Sequence, residues 1–470
     1  MTAVAADRIA SAAHAYEVAR RLADGFATGA ARRDRDRELP HREIDELAAS
    51  GLLAITVPAH LGGPDLPPSA VAEVVRILAA ADPNIAQIPH SHFVYVNLLR
   101  LAGSADQRRR YLGQVLDGGR IANAQSERSG ATVAEISTTV RPAGGRLRID
   151  GVKYYCTGSL FADVLAVLTR LDDPEESSGL EPGEYIAYLP AETPGVRIID
   201  DWNGIGQRTT GSGTVSFDGV VVEPGQLVPR SPAVRAPTGY GAFAQLLHVA
   251  VDAGIARGAL TAATDFVRAK SRPWFEAGVE RAVDDPLLIQ RFGELAVAVT
   301  AAEATLAAAG AAVDRAVGAG PGVGTTTGPE VAADSRSSER DPARPADRDG
   351  ASGAARNRAG RLVSDEPYGR AADESAGLAD RAAVRAVDEP VAAASLAVAA
   401  AKILADGAAN EVSSALFEVG GTRSAAADLN LHHFWRNART HTLHDPVRWK
   451  YQHIGRTLLH DTPPPLHGVI

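Results

Sequence analysis

The chain has one cysteine in 470 residues, Cys156, which leaves nothing for a disulfide framework and too few thiolates for a zinc or iron–sulfur site. It suits a reducing compartment, and the cytoplasm is expected. A basic excess is also missing, since 48 Lys and Arg stand against 57 Asp and Glu for a net charge of −9. Non-specific nucleic-acid binding draws its affinity from phosphate-neutralising cations, so no nucleic-acid partner is expected. The longest apolar stretch, from Val391, is mostly alanine and meets Lys402 and Asp406 before the roughly 20 residues of a membrane span. Asp7, Arg8, Glu17, Arg20 and Arg21 interrupt the first 25 residues, unlike a secretory signal. A soluble chain with no membrane partner is therefore expected. Aromatic residues make up only 5%, which gives no strong argument for a large aromatic pocket.

Several motifs are absent too. No G-x-G-x-x-G follows a strand pattern, the glycines Gly318 to Gly322 lack a phosphate-loop lysine, and there is neither a G-x-S-x-G elbow nor an H-E-x-x-H pair. Nicotinamide, nucleoside-triphosphate, serine-hydrolase and zinc-protease chemistry are set aside.

At roughly 150 residues per domain the length suggests about three folding units. From Arg8 to Leu116 the pattern is helical. Val71, Val74, Val75 and Leu78 recur at intervals of three and four, which puts them on one helix face, and Pro83 limits continuation. REIDELAASG ends its helical period at Gly51, and a further helix runs from Pro89 to Gly103. The period then changes to two. RLRIDGVKYYCTG predicts a hairpin turning at Asp150-Gly151, and residues 118–230 predict an all-β unit of seven or eight strands. After Pro237 three long alanine-rich helical runs return, with a fourth helix around HHFWRNARTHTL, which together predict a bundle. Residues 321–390 interrupt it. They hold 10 arginines, 13 acidic residues and few large apolar ones, so a disordered insertion is expected, with short helix possible in DRAAVRAVDEP.

Chemistry-bearing residues concentrate in three places. His441 and His444 are three apart, as suits one side of a helix; a metal site, ordinary histidines and a pocket for an organic ligand or cofactor all stay open. In Pro89-His90-Ser91-His92 the two imidazoles lie about 200° apart around a helix, so if His92 faces a cavity His90 does not. Asn123 to Glu127 and Tyr155 to Ser159 mix small and hydrogen-bonding side chains that would let a planar heterocycle approach the backbone, although such residues also mark strand ends.

The segments ADPNIAQIPHSHF, DWNGIGQRTTGSGTVSFDGVVV, ALFEVGGTRS and, most specific, HFWRNARTHTLHDPVRWKYQHIG give the chain a resemblance. It resembles the acyl-CoA dehydrogenase superfamily outside residues 321–390, and within it the flavin-dependent monooxygenases of the dibenzothiophene monooxygenase and sulfur-acquisition type. The resemblance implies an α+β fold: an N-terminal helical domain over residues 1–117, a central β-barrel-like domain over 118–230, and a C-terminal four-helix bundle over 231–470. It implies His92 and His444 as catalytic imidazoles with His441 secondary. It places Asn123 and Thr157, with Ser126 and Ser159 beside them, on the flavin, and Arg272 on the flavin phosphate across a subunit interface.

Departures from the dehydrogenase pattern refine this. Histidines occupy the segment where dehydrogenases carry a proton-abstracting carboxylate. Phe417 stands where FAD-binding relatives have a glutamine three residues before Gly420-Gly421, which favours FMN, with FAD possible. The implied activity is oxygenation of a small organosulfur compound by reduced flavin and O2 through a C4a-hydroperoxyflavin. The implied partners are a separate NAD(P)H-dependent flavin reductase and further copies in a homotetramer. An acyl-CoA dehydrogenase-type oxidation, an N- or aromatic C-hydroxylation, and a non-enzymatic helical assembly are the alternatives.

Overall fold

Among the described residues seven α-helices precede the first strand: α1 (Ala12–Ala27), α2 (Ala30–Asp36), α3 (His41–Ala49), α4 (Pro68–Ala81), α5 (Pro83–Gln87), α6 (His90–Ala102) and α7 (Ala105–Leu116). The computed structural model describes residues 6–129, 132, 135–318 and 378–467, without side chains over 378–388. The stripe Val71, Val74, Val75 and Leu78 is buried on α4. Asp82 ends that helix and caps α5, accepting from the backbone N–H groups of Asn84 and Ile85. Past α3, Gly51 takes a φ of +78°, and a Cβ there would lie 2.1 Å from the Asp7 carbonyl oxygen.

The middle of the chain forms one sheet from β1 (Ile121–Ala124), β2 (Thr139–Ala143), β3 (Arg146–Lys153), β4 (Val164–Leu171), β5 (Glu184–Pro190), β6 (Val196–Ile199), β7 (Thr214–Val222) and β8 (Leu227–Pro229). Its order is β6-β7-β3-β2-β4-β5-β8, and β1 pairs in parallel with β4. The end strands do not pair with each other, so the barrel-like centre expected from the sequence is corrected to an open sheet. Alternation identifies strands, whereas closure depends on whether the two ends meet. Here both edges are short, and Pro229 on β8 brings no N–H to a further ladder.

The Asp150-Gly151 hairpin is also corrected. β3 runs through this pair with a bulge, and the turn between β2 and β3 falls at Gly144-Gly145, both at positive φ. At the bulge, Asp150 accepts from the Gly219 N–H at 2.7 Å. A Cβ on Gly151 would lie 2.3 Å from Thr138 Oγ1.

Behind the sheet come α8 (Ser231–Arg235), α9 (Tyr240–Lys270), α10 (Pro286–Gly318), α11 (Leu378–Gly420), α12 (His432–His441) and α13 (Arg448–His460). The three long helices match the expected runs, while the expected fourth is short and stops at His441. α4 packs along both α9 and α10, so front and rear helices share one apolar core, and the sheet encloses a second. Contrary to the expectation from sequence, three helices (α9, α10 and Glu389–Gly420 of α11) are long and apolar enough to cross a membrane by length and composition. Of their apolar windows 83%, 39% and 56%, respectively, are buried within the protein. The expected insertion at 321–390 lies outside the described residues up to 377, and from Leu378 the chain is helical through Pro390.

Candidate active site

α6 is wedged between α9 and β1, and its two histidines point to opposite sides as the helical angle requires. His92 Nε2 donates to the Leu53 carbonyl at 2.8 Å, and its Nδ1 accepts from the Ile121 N–H at 3.1 Å. Both ring nitrogens are thus spent on backbone, tying α6 to the loop after α3 and to the first strand. His90 faces the other way. Its Nε2 donates to the Ala244 carbonyl of α9 at 3.0 Å, and its ring lies 3.9 Å from that of His248.

His248 and Asp252 occupy successive turns of α9, a helix otherwise apolar on most sides. The His248 ring is sandwiched, with the His444 ring 4.0 Å away on the other side from a residue just past α12. His248 Nδ1 is 3.0 Å from His441 Nε2, and His441 Nδ1 is 2.7 Å from Asp252 Oδ1. Asp252 Oδ2 accepts from Lys402 Nζ at 3.2 Å, and Lys402 also pairs with Asp406 one turn along α11. Asp445 forms an ion pair with Lys450 at 2.7 Å and lies 3.6 Å from His444 Nδ1. A buried charge is tolerated only with such partners. His441 is buried at the end of α12, whereas the His444 side chain is 47% exposed in the following turn. The two are therefore not equivalent positions on one helix face.

Burial sets the electrostatics. It pushes His90 and His441 down to about 3 and His92 to about 4, and His248 well below the ordinary imidazole value, so all four are neutral at pH 7. Burial and neighbouring Asp252 push Asp406 up to about 8. Burial works against the charge on Lys402, but Asp252 and Asp406 more than offset it and raise the ammonium. Asp445 is likewise penalised by burial and still held low by His444 and Lys450.

The second group of predicted residues lines the edge of the sheet. Asn123 sits on β1 with a buried Oδ1 that has no partner among the described residues. The loop 155–159 pairs with 210–213 through Cys156 N–H to the Gly213 carbonyl and Gly158 N–H to the Thr210 carbonyl. That pairing gathers hydroxyls: Thr157 Oγ1 is 2.8 Å and Thr210 Oγ1 2.7 Å from Ser212 Oγ, while Ser159 Oγ donates to the Gly211 carbonyl at 3.3 Å. Ser126 is exposed, and its carbonyl accepts from the Tyr154 N–H. The buried ion pair of Lys153 with Glu127, 2.6 Å, anchors that turn to β3. Loop and α12 are locked together, since Asn437 Oδ1 accepts from the Gln207 N–H at 2.6 Å and a Cβ on Gly206 would lie 1.9 Å from the Arg436 carbonyl oxygen.

Arg272 stands apart in an exposed stretch after α9, beside the exposed rings of Trp274 and Phe275, and forms no ion pair among the described residues. Cys156 is buried, and burial pushes its thiol up to about 12. Phe417 packs against the helical core. No group of three or more His, Cys, Asp or Glu side chains is arranged to hold a metal among the described residues.

The structure thus brings His441 and His444 together and keeps His92 out of their cluster. The sequence reading missed His248, Asp252, Lys402 and Asp406, and it set His90 aside. A signal was present: His248 with Asp252 and Lys402 with Asp406 are each four apart on helices otherwise apolar, where a lone charge implies a buried partner.

A flavin fits the residues at hand. An unpartnered buried amide oxygen at Asn123 offers hydrogen bonding to a polar heterocycle, beside the hydroxyl-lined loop around Thr157. Comparison with known proteins agrees. Residues 12–119, 123–220 and 246–338 match the N-terminal, middle and C-terminal domains of acyl-CoA dehydrogenase. The dibenzothiophene monooxygenase of Rhodococcus qingshengii is 30% identical over 451 residues, 94% of this chain and 92% of that one. TdsC from Paenibacillus sp. A11-2, solved with FMN and indole, is 27% identical with a TM-score of 0.76 over 97% of this chain and all of that one. The methanesulfinate monooxygenase MsuC from Pseudomonas fluorescens gives 26% and 0.76 over 97% and 99%. The chain belongs to the acyl-CoA dehydrogenase superfamily, and within it is closely related to the dibenzothiophene monooxygenases.

Proposed function

We propose that the protein is the oxygenase of a two-component flavin system. It takes reduced FMN from a separate NAD(P)H-dependent reductase and places one atom of O2 on the sulfur of a small organosulfur compound. The observation that carries this reading is the match along the whole chain to monooxygenases of dibenzothiophene and methanesulfinate. For an organic sulfide the balance is sulfide + O2 + reduced FMN → sulfoxide + water + oxidised FMN, with the flavin supplying both electrons and both protons of the water.

The chain's own residues bind, orient and handle protons. Asn123 and Thr157 hydrogen-bond the flavin, with Ser126 and Ser159 at the same sheet edge. Arg272 reaches the flavin phosphate of a neighbouring copy in a homotetramer, and the exposed Trp274 and Phe275 beside it support assembly at that surface. His444, half-exposed and held near Asp445, delivers or takes the proton at the reacting oxygen; His441 supports it from the buried side. An imidazole can take a proton on its free nitrogen and, once protonated, return it. His92 contributes by positioning, because both of its nitrogens are bonded to backbone, and His90 and His248 take its place in the cluster. The chain works in the cytoplasm.

A dehydrogenase reading needs a free carboxylate as base. Asp252 and Asp445 are buried and ion-paired, which disfavours it. The test is aerobic turnover of the full chain with a flavin reductase, NADH, FMN and a panel of dibenzothiophene, methanesulfinate, dialkyl sulfones and indole. Oxygenated product that depends on the chain is expected. Hydrogen peroxide alone from every compound, with desaturation of an acyl-CoA when an electron acceptor is added, would reverse the assignment.

A further inference from the structure

Asp252 has no role in the chemistry described so far, yet it is fully buried and contacts both an imidazole and an ammonium. Its Oδ1 is 2.7 Å from His441 Nδ1, and its Oδ2 is 3.2 Å from Lys402 Nζ. We propose that Asp252, fixed by Lys402, is the positioning residue of an Asp–His–His relay that sets the tautomers of His441 and His248. This rests on the reading that the histidine cluster handles the protons of oxygen transfer.

The tautomers follow from counting donors and acceptors. Burial raises the Asp252 carboxyl, but the Lys402 ammonium and the hydrogen bonds from Lys402 and Asp406 favour its carboxylate, which serves as acceptor on both oxygens. His441 must therefore carry its proton on Nδ1, pointing at Oδ1. In the neutral ring this leaves a lone pair on Nε2. The 3.0 Å contact to His248 Nδ1 then requires that His248 be the donor, with its own proton on Nδ1. His248 Nε2 is left as an acceptor within the stack between His90 and His444. His90, committed through Nε2–H to the Ala244 carbonyl, cannot donate to it through that nitrogen.

That arrangement can take up a proton in balanced steps. Where the reacting group meets the cluster beside His444, its O–H bond breaks and the proton forms an N–H bond at His248 Nε2. The His248 Nδ1–H bond breaks, and its proton forms a new bond to His441 Nε2. His441 is then the imidazolium, with both N–H groups in place and the carboxylate of Asp252 against one of them. The positive charge thus moves from between two other imidazoles to a site facing a carboxylate. The reverse sequence returns a proton. Lys402 and the neighbouring Asp406 hold the carboxylate in place, and Asp445 with Lys450 forms a separate pair on the His444 side.

A purely structural role for Asp252 leaves product per reduced flavin unmoved by Asp252→Asn, so the tautomers and the yield are read together. The full chain labelled with 15N-histidine is measured by NMR at pH 7, with His441 and His248 assigned by loss of signal in His441→Gln and His248→Gln. Both rings are expected as neutral Nδ1–H tautomers in the wild type. Asp252→Asn, which cannot satisfy both Lys402 and His441 as acceptors, is expected to abolish the preference at His441. It should also lower product formed per reduced flavin by at least 10²-fold, in the range for positioned acid–base groups. Affinity for reduced FMN should change less than threefold, because Asp252 lies outside the proposed flavin contacts.

A wild-type His441 protonated on Nε2, or an Asp252→Asn protein with product yield within threefold of wild type, overturns the relay. If the variant does not fold, the wild-type tautomers alone decide. If the wild type oxygenates no compound in the panel, the activity reading fails while the tautomers still test the relay.

Discussion

Replacing His92 with phenylalanine separates the resemblance from the geometry. The larger phenyl ring leaves no cavity, but two buried backbone groups, the Leu53 carbonyl and the Ile121 N–H, lose their partners. Each orphaned group costs about 1–3 kcal/mol, so the variant should lose about 2–6 kcal/mol at pH 7, a large share of a typical 5–15 kcal/mol. The loss has a pH signature. Burial depresses the folded pKa to about 4, against 6.5 for a solvated imidazole, so the stability from neutral His92 is present above 6.5 and is lost as pH falls through 4. Over that window the change is about 3 kcal/mol at 1.36 kcal/mol per unit. The gap between wild type and His92→Phe should therefore narrow by about that amount from pH 7 to pH 4. His92→Gln, whose amide offers both a donor and an acceptor, should lose less than phenylalanine. Urea denaturation at a series of pH values measures all three, with single-turnover oxygenation on the same samples. A phenylalanine variant as stable as wild type at every pH, but with product formation down a hundredfold, would show that His92 acts on the reaction itself and that the backbone account is mistaken.

Two further substitutions probe the rest of the site. Asn123→Ala should weaken reduced FMN by roughly tenfold, about 1.4 kcal/mol, in an anaerobic titration while leaving the melting temperature nearly unchanged, since its Oδ1 bonds nothing among the described residues. Gly206→Ala puts a methyl 1.9 Å from the Arg436 carbonyl oxygen and forces the loop off α12. Overpacking of this kind costs about 1–3 kcal/mol, and because α12 carries His441, product yield should fall along with thermal stability.

What the sequence made legible depended on the range of the signal. The stripe on α4 and the ending at Gly51 are local, and both appear as expected. The Asp150-Gly151 pair has the composition of a turn, but Gly144-Gly145 supplies two positive-φ positions next to it and takes the hairpin, leaving Asp150-Gly151 as a bulge. The open sheet was illegible for a different reason: edge pairing is a relation between strands far apart in sequence. At the site, His441 and His444 stood out because the motif holding them is long. Helical geometry alone could not rank His90 against His92, since both ends of a separation of about 200° turn out to be buried. His248 and Asp252 each stand alone in an apolar helix, and their meaning comes from Lys402, 150 residues on from Asp252.

The central claim, transfer of one oxygen atom from O2 to sulfur, is tested most directly by running the coupled reaction under 18O2 with NADH, a flavin reductase and FMN. Mass spectrometry then follows the product of whichever organosulfur compound in the panel is turned over. The account predicts one 18O atom in each product molecule for each oxygen added, and no label when unlabelled O2 is used in 18O-labelled water. Product carrying oxygen from water, or consumption of 18O2 that ends entirely in labelled hydrogen peroxide, would contradict it.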